Sequence, residues 1–314
     1  MRFHRRWVIG LVRKLGLVDR SNFPFASFDR IGEIDALRAA ILPRVSHRRV
    51  IFCINPGRCG SAYLANLLAT VPHARSHHEP RPAMNGKYLA LIDAAPLSES
   101  RARRSIKCLA VAADLLLHPR APFYSETNHM FIKTFCDVVV DDFRDVDVIV
   151  LRRDPAAVLK SMIELMWFSN ASNTWQAWAS VPGGANSASL PVAHERELDQ
   201  FDRAISYLVD IEARTSRFIA THPRVSCQSF QLEEITTPRG ARAMFEALAL
   251  PWSDQAERQS RQVVNARSDI KAYYGNITSL ETCRARIHDY VQRALTLGID
   301  IPPTLSSGLT GPVP

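Results

Sequence analysis

The run Arg49-Val50-Ile51-Phe52-Cys53-Ile54 narrows the fold more than any other feature of the sequence. It is apolar at every residue after Arg49, not at alternate ones. It therefore reads as a strand buried on both faces, as the inner strands of parallel sheets are. The turn Asn55-Pro56-Gly57-Arg58-Cys59-Gly60 follows. Beyond it, Tyr63, Leu64, Leu67, Leu68 and Val71 recur at helical spacing over residues 61–71, and Pro72 closes the run. Strand, tight turn and helix make the first half of a βαβ unit.

A second strand of this kind is Val146-Asp147-Val148-Ile149-Val150-Leu151. It runs into Arg152-Arg153-Asp154-Pro155, where Asp154 suits an N-cap and Pro155 the first turn of a helix reaching about residue 167. Further strands are expected over His129-Met130-Phe131-Ile132-Lys133-Thr134 and Val225-Ser226-Cys227-Gln228-Ser229-Phe230. Helical patterning covers residues 89–117, with a basic cluster at Arg101, Arg103, Arg104 and Lys107, and residues 195–221, 239–248 and 279–297. Strands alternating with helices predict a three-layer α/β/α fold with a mainly parallel central sheet. The expected organisation is a basic helical segment over 1–45, an α/β domain over 46–300, and a flexible Pro/Gly/Ser-rich tail over 301–314. Within the domain, residues 169–192 read as an insertion that shapes a substrate site, with Trp175 and Trp178 embedded in it.

Bulk composition sets outer limits. With 46% hydrophobic and 22% charged residues the chain is globular in type. No apolar stretch approaches the roughly 20 residues of a membrane span. The six cysteines form no C-x-x-C pair and read as reduced, which suits a cytoplasmic protein. A formal net charge of +8 favours anionic partners without choosing among them. Residues 1–18 mix Arg2, Arg5, Arg6, Arg13 and Lys14 with apolar residues and lack a signal-peptide cleavage pattern. They read as a helix that either packs on the domain or makes peripheral contact with a membrane.

The turn after residue 54 has the chemistry of an anion site. Backbone N–H groups at a helix start point at a bound anion, and the helix dipole adds to their pull. Gly57 and Gly60 permit close approach, Ser61 offers a hydroxyl and Arg58 a fixed charge. The turn lacks the Lys-Ser or Lys-Thr ending of a triphosphate loop, and no magnesium-holding arrangement accompanies it. Arg153 sits at a second strand-to-helix junction, with Ser161 two turns along the helix. A guanidinium and a hydroxyl so placed suit a second phosphate.

These two motifs resemble those of PAPS-dependent sulfotransferases, where PAPS is 3'-phosphoadenosine-5'-phosphosulfate. Pro56-Gly57-Arg58-Cys59-Gly60-Ser61-Ala62-Tyr63 looks like the family's 5'-phosphosulfate loop, with Cys59 where serine or threonine is usual. Arg153-Asp154-Pro155-Ala156-Ala157-Val158-Leu159-Lys160-Ser161 looks like its 3'-phosphate motif. The resemblance is closer to the bacterial, carbohydrate and tyrosylprotein branches than to the cytosolic one, and spans about residues 49–250. It implies PAPS as co-substrate, PAP as product and no metal. Arg58, Cys59, Gly60, Ser61, Ala62, Tyr63, Arg153 and Ser161 are the implied donor-binding residues. It further implies that Glu79, in His77-His78-Glu79-Pro80, is the general base, with His78 the second choice. Lys133, with Arg58, would stabilise charge on the transferred group. Ser125-Glu126-Thr127-Asn128 is a candidate acceptor-site lining. Arg267 and Lys271 are candidate late donor contacts.

The implied partner is a hydroxyl-bearing acceptor: carbohydrate, lipid, phenol or peptide tyrosine. Nucleic acid is not expected, because aromatic residues are not interleaved with the basic clusters. Two other readings stay open at this level. One is a nucleotide-dependent phosphotransferase, which the missing Lys-Ser/Thr disfavours. The other is a non-catalytic PAP-binding, anion-binding or membrane-surface protein on the same fold.

Overall fold

The computed structural model describes residues 31–94, 96–171, 174–180, 198–262 and 275–306. Five parallel strands form its central sheet: β1 (Val50–Ile54), β2 (Arg75–His78), β3 (Tyr124–Thr127), β4 (Val146–Arg152) and β5 (Ser226–Gln231). Their spatial order is β2-β3-β1-β4-β5, and helices cover the sheet in a three-layer α/β/α arrangement. The expected fold class stands. β1 lies at the centre and every one of its residues is buried, which accounts for its unbroken apolar run. Phe52 stacks on Phe131 with ring centroids 4.8 Å apart, and Phe135 meets both rings edge-on. Each such buried side chain contributes about 1.5–3 kcal/mol through removal from water.

The strand order decides where a ligand can sit. From β1 the chain moves to β2 and β3 on one side of the sheet, then to β4 and β5 on the other. Connections that leave neighbouring strands in opposite directions open a crevice beyond their carboxyl ends. Two helices flank that crevice, α1 (Ser61–Leu68) after β1 and α2 (Pro155–Glu164) after β4. Asp154 caps α2 by accepting a hydrogen bond from the Ala156 N–H at 2.9 Å, with Pro155 at the first position as expected.

The strand expected over residues 129–134 is instead a π-helical turn, Phe131–Phe135, and the sheet strand lies earlier, at β3. Asn128 makes the difference. Its Oδ1 accepts from the Met130 N–H at 2.9 Å and its carbonyl from the Phe131 N–H at 3.0 Å, which turns the chain out of the sheet. The span 89–117 is not one helix but three, Lys87–Ala94, Leu97–Arg104 and α3 (Ile106–Leu117). Its basic cluster is not a solvated face. Arg104 and Lys107 are both 0% exposed.

The helix Ile31–Ile41 places Ile34, Leu37 and Ile41 in the main core, and Arg38 pairs with Asp142. Residues 31–41 therefore pack as part of the α/β unit. The short helix Pro303–Ser306 buries Leu305 in the same core. Among the described residues no helix is long and apolar enough to cross a membrane. The basic segment 1–18 and the late contacts Arg267 and Lys271 lie outside the described residues.

Gly60 caps α1 in the left-handed region, at φ 81°. A Cβ there would also fall 2.4 Å from Leu232 Cδ1. Gly60→Ala should cost about 1–2 kcal/mol from the backbone alone. A urea titration reads this as a lower midpoint at unchanged slope; an unshifted midpoint would contradict the strain account.

Candidate active site

The loop between β1 and α1 is tied down at three points. Asn55 Oδ1 accepts from the Gly57 N–H at 2.9 Å, the Tyr207 hydroxyl donates to the Pro56 carbonyl at 2.9 Å, and Arg153 Nη1 donates to the Arg58 carbonyl at 3.0 Å. Arg58 holds a left-handed backbone at φ 61°, which is costly for a residue with a Cβ and needs such support. Its side chain turns toward α2, where Nε donates to Ser161 Oγ at 3.0 Å. The two sequence motifs thus touch each other directly, across 103 residues of chain. The first N–H groups of α1 have no acceptor within a helix and open onto the same space.

That space is a cavity of about 560 Å³, within the usual range of roughly 300–1,000 Å³ for small-molecule sites. Its lining includes Arg58, Gly60, Ser61, Ala62, Tyr63, Arg153 and Ser161. His78 and Glu79 line it as well, arriving from the carboxyl end of β2. Tyr63 takes part mainly as a strut. Its hydroxyl lies 2.6 Å from the Ile235 carbonyl and 3.1 Å from that of Ser260, and burial pushes its pKa up to about 12.

Two expected site residues are placed elsewhere. Cys59 is buried beneath the loop and lines a separate, smaller space with Pro56, Glu212 and Leu305. Burial raises its thiol pKa far above the ordinary value. Lys133 does not line the cavity either. It is 2% exposed and sits behind the wall, where Nζ donates to Tyr207 Oη at 2.9 Å, the Trp178 carbonyl at 2.5 Å and His129 Nδ1 at 2.9 Å. These three acceptors match the three donors of an ammonium. Burial nevertheless holds its pKa well below the usual lysine value.

His129 is the residue that sequence reasoning missed. It lines the cavity at the carboxyl end of β3, with Nε2 3.6 Å from Glu79 Oε1. With Lys133 as an ammonium donating to Nδ1, the neutral imidazole carries its proton on Nε2 and turns it toward Glu79, 3.6 Å away. His78 has the opposite tautomer. Its Nδ1 lies 3.0 Å from the Thr127 carbonyl and must be the donor, which leaves the Nε2 lone pair. Placing the strand at residues 124–127 would have put His129 at the active edge; the long apolar run after it concealed that.

The aromatic residues of the insertion divide. Trp178 lines the cavity, as does Trp167 just before the insertion. Trp175 packs into the core against Phe168, with ring centroids 4.8 Å apart, and its Nε1 donates to the Ser169 carbonyl. Residues 181–192 of the insertion lie outside the described residues. Ser125, Glu126, Thr127 and Asn128, taken above as candidate acceptor lining, are all buried in or beside β3 and line no part of the cavity. Asn85, Leu232, Thr236, Ser260, Arg261 and Gln262 also line the cavity without having been singled out from sequence.

Burial, and after it the charge of Lys133, holds the His129 pKa well below its ordinary 6.5. Below pH 6.5 the unfolded chain therefore binds a proton here that the folded chain does not. Stability should fall as pH drops from 6.5 toward the folded-state value, by at most about 1.4 kcal/mol per pH unit. Urea titrations between pH 7.5 and 5 should show this loss, and His129→Gln should flatten it. Equal slopes in the two proteins would refute the assignment.

No protein-family model matches the chain, and no curated protein matches it. Solved structures resemble it at low identity, three sulfotransferases among them. The sulfotransferase STF9 from Mycobacterium avium is 14% identical, with 87% of this chain and 82% of that chain covered and a TM-score of 0.45. The sulfotransferase STF1 from Mycobacterium tuberculosis is 13% identical, with 90% and 91% covered and a TM-score of 0.43. A sulfotransferase domain from the curacin biosynthetic pathway is 11% identical, with 81% and 99% covered and a TM-score of 0.44.

Proposed function

We propose that this protein is a sulfotransferase that moves the sulfuryl group of PAPS to a hydroxyl of an acceptor. The observation that carries the reading is the joining of two anion-binding motifs in one cavity by the Arg58–Ser161 and Arg153–Arg58 hydrogen bonds. A ligand with two separated phosphate groups matches that arrangement, and a carboxylate and two imidazoles stand at the same cavity. The residues suit such a donor without a triphosphate's lysine, since Arg58, Arg153 and the start of α1 supply the positive potential.

In this reading, the N–H groups at the start of α1, with Ser61 and Arg58, hold the 5'-phosphosulfate end. Arg153 and Ser161 hold the 3'-phosphate. Glu79 takes the proton of the acceptor hydroxyl as the new O–S bond forms and the S–O bond to the phosphate breaks; PAP departs with that bonding pair. His129 donates from Nε2 toward the reacting oxygens and orients Glu79. Lys133 acts through His129 by fixing its tautomer, so its role is positioning and not contact with the transferred group. His78, with its lone pair on Nε2, is the second candidate base. Glu79 side-chain exposure of 41% leaves the carboxylate reachable by an acceptor from solvent. Trp167 and Trp178 supply the apolar part of the acceptor wall.

The test is thermal. Binding to the folded state alone stabilises by about 2.7 kcal/mol at a ligand concentration a hundredfold above Kd. PAP should raise the melting temperature by several degrees, and ATP with magnesium should not match it. Absence of any shift at millimolar PAP would sink the proposal; a magnesium-dependent ATP response would favour the phosphotransferase reading.

A further inference from the structure

The segment carrying Glu79 cannot hold its own shape. Pro80 and Pro82 have no N–H to donate, so residues 79–83 have few local hydrogen bonds available. Glu79 also sits at φ 47°, a conformation that persists in a non-glycine residue only when its surroundings impose it. The support comes from beneath. Lys107, on α3, is 0% exposed, and its Nζ donates to the Pro80 carbonyl at 3.1 Å and the Pro82 carbonyl at 2.9 Å.

The third Lys107 partner is Glu126 of β3, with Nζ and Oε1 2.6 Å apart. Glu126 is likewise 0% exposed and accepts from Tyr124 Oη at 2.8 Å and Asn128 Nδ2 at 2.9 Å. Asn128 Nδ2 lies 3.4 Å from the Ala83 carbonyl as well, so the same cluster touches the segment a third time. Asn128 also turns the chain toward His129, so the two residues that face each other across 3.6 Å are held from one buried cluster. Apolar residues of similar volume would fill such a site at lower desolvation cost. A fully partnered ion pair spent on two proline carbonyls therefore points to placement of the segment and not to stability.

We propose that the buried Lys107–Glu126 pair is a positioning device that fixes the Glu79 segment against the cavity; the assignment rests on Glu79 being the base. Neither residue touches the cavity. The pair should therefore set the rate of transfer without setting donor affinity.

The double variant Lys107→Met/Glu126→Gln removes both charges and leaves no buried charge uncompensated. Hydrolysis of ³⁵S-labelled PAPS to PAP and sulfate, with water as acceptor, gives a rate that needs no known substrate. The variant should lose about a hundredfold in kcat, the scale of a misplaced catalytic group, while KM for PAPS and the Kd for PAP stay unchanged. Amide ¹⁵N order parameters at Glu79, Arg81 and Ala83 should fall from about 0.85 toward about 0.6, with those of residues 61–63 unaffected. A folded variant with wild-type rate and order parameters overturns the proposal. So does parallel loss of PAP affinity and of amide order across the whole sheet, which would mark the pair as merely structural. Should the double variant not fold, Lys107→Gln/Glu126→Gln, which keeps hydrogen-bonding side chains without charge, should show the same pattern at smaller size. If the wild type neither binds PAP nor hydrolyses PAPS, the sulfotransferase reading fails by itself, and the order parameters still decide the anchoring.

Discussion

Arg153→Ala should weaken PAP binding by roughly 10- to 150-fold, the equivalent of about 1.5–3 kcal/mol for a lost hydrogen bond to a charged group. The side chain is asked to do two things. It lines the cavity beside Ser161, and it holds the Arg58 carbonyl at 3.0 Å. Removing it takes one positive group from the anion site and loosens the left-handed turn that aims the other. Titration calorimetry with PAP measures the loss directly. Arg153→Lys distinguishes the two roles, because lysine keeps the charge but not the planar fork that reaches both the ligand and the carbonyl. If Arg153→Ala binds PAP as tightly as the wild type, Arg153 is a structural residue and the two-anion reading of the cavity is wrong.

Glu79→Gln should leave PAP affinity intact and slow transfer by about 10²–10⁴, the range for loss of a general base. The amide keeps the shape of the side chain and its left-handed backbone setting, so only proton acceptance is removed. His78→Asn and His129→Gln complete the comparison. Under the tautomers described, His129→Gln retains a donor facing Glu79 and should slow transfer less than Glu79→Gln does. A Glu79→Gln protein of undiminished rate beside a dead His78→Asn protein would move the base from Glu79 to His78.

Much of the site could be read from order along the chain. The β1 run, the turn with Gly57 and Gly60, and the capped Arg153 junction are local patterns, each complete within about ten residues, and all lie where they were expected. His129 could not be read in this way. An apolar stretch such as Met130-Phe131-Ile132 suits a strand or a helical turn equally, and a single Asn128 side chain selects the turn. The burial of Lys133 and Lys107 could not be read for a related reason. Only a complete set of acceptors, drawn from distant segments, permits a lysine to be buried. For Lys107 those acceptors come from Pro80, Pro82 and Glu126; for Lys133 from His129, Trp178 and Tyr207.

What the sequence alone determined was the class of fold and the place of the two strand-to-helix turns that carry Arg58 and Arg153. Both follow from short-range periodicity and from backbone geometry that only a few residue types can adopt. Tertiary structure decided the rest: that Arg58 meets Ser161, that Cys59 and Lys133 fall behind the cavity wall, and that Glu79 faces His129. Those outcomes depend on strand order and on which buried polar groups find partners. Each is a pairing between distant segments, made because an unpaired buried charge costs more than the chain's modest net stability can absorb.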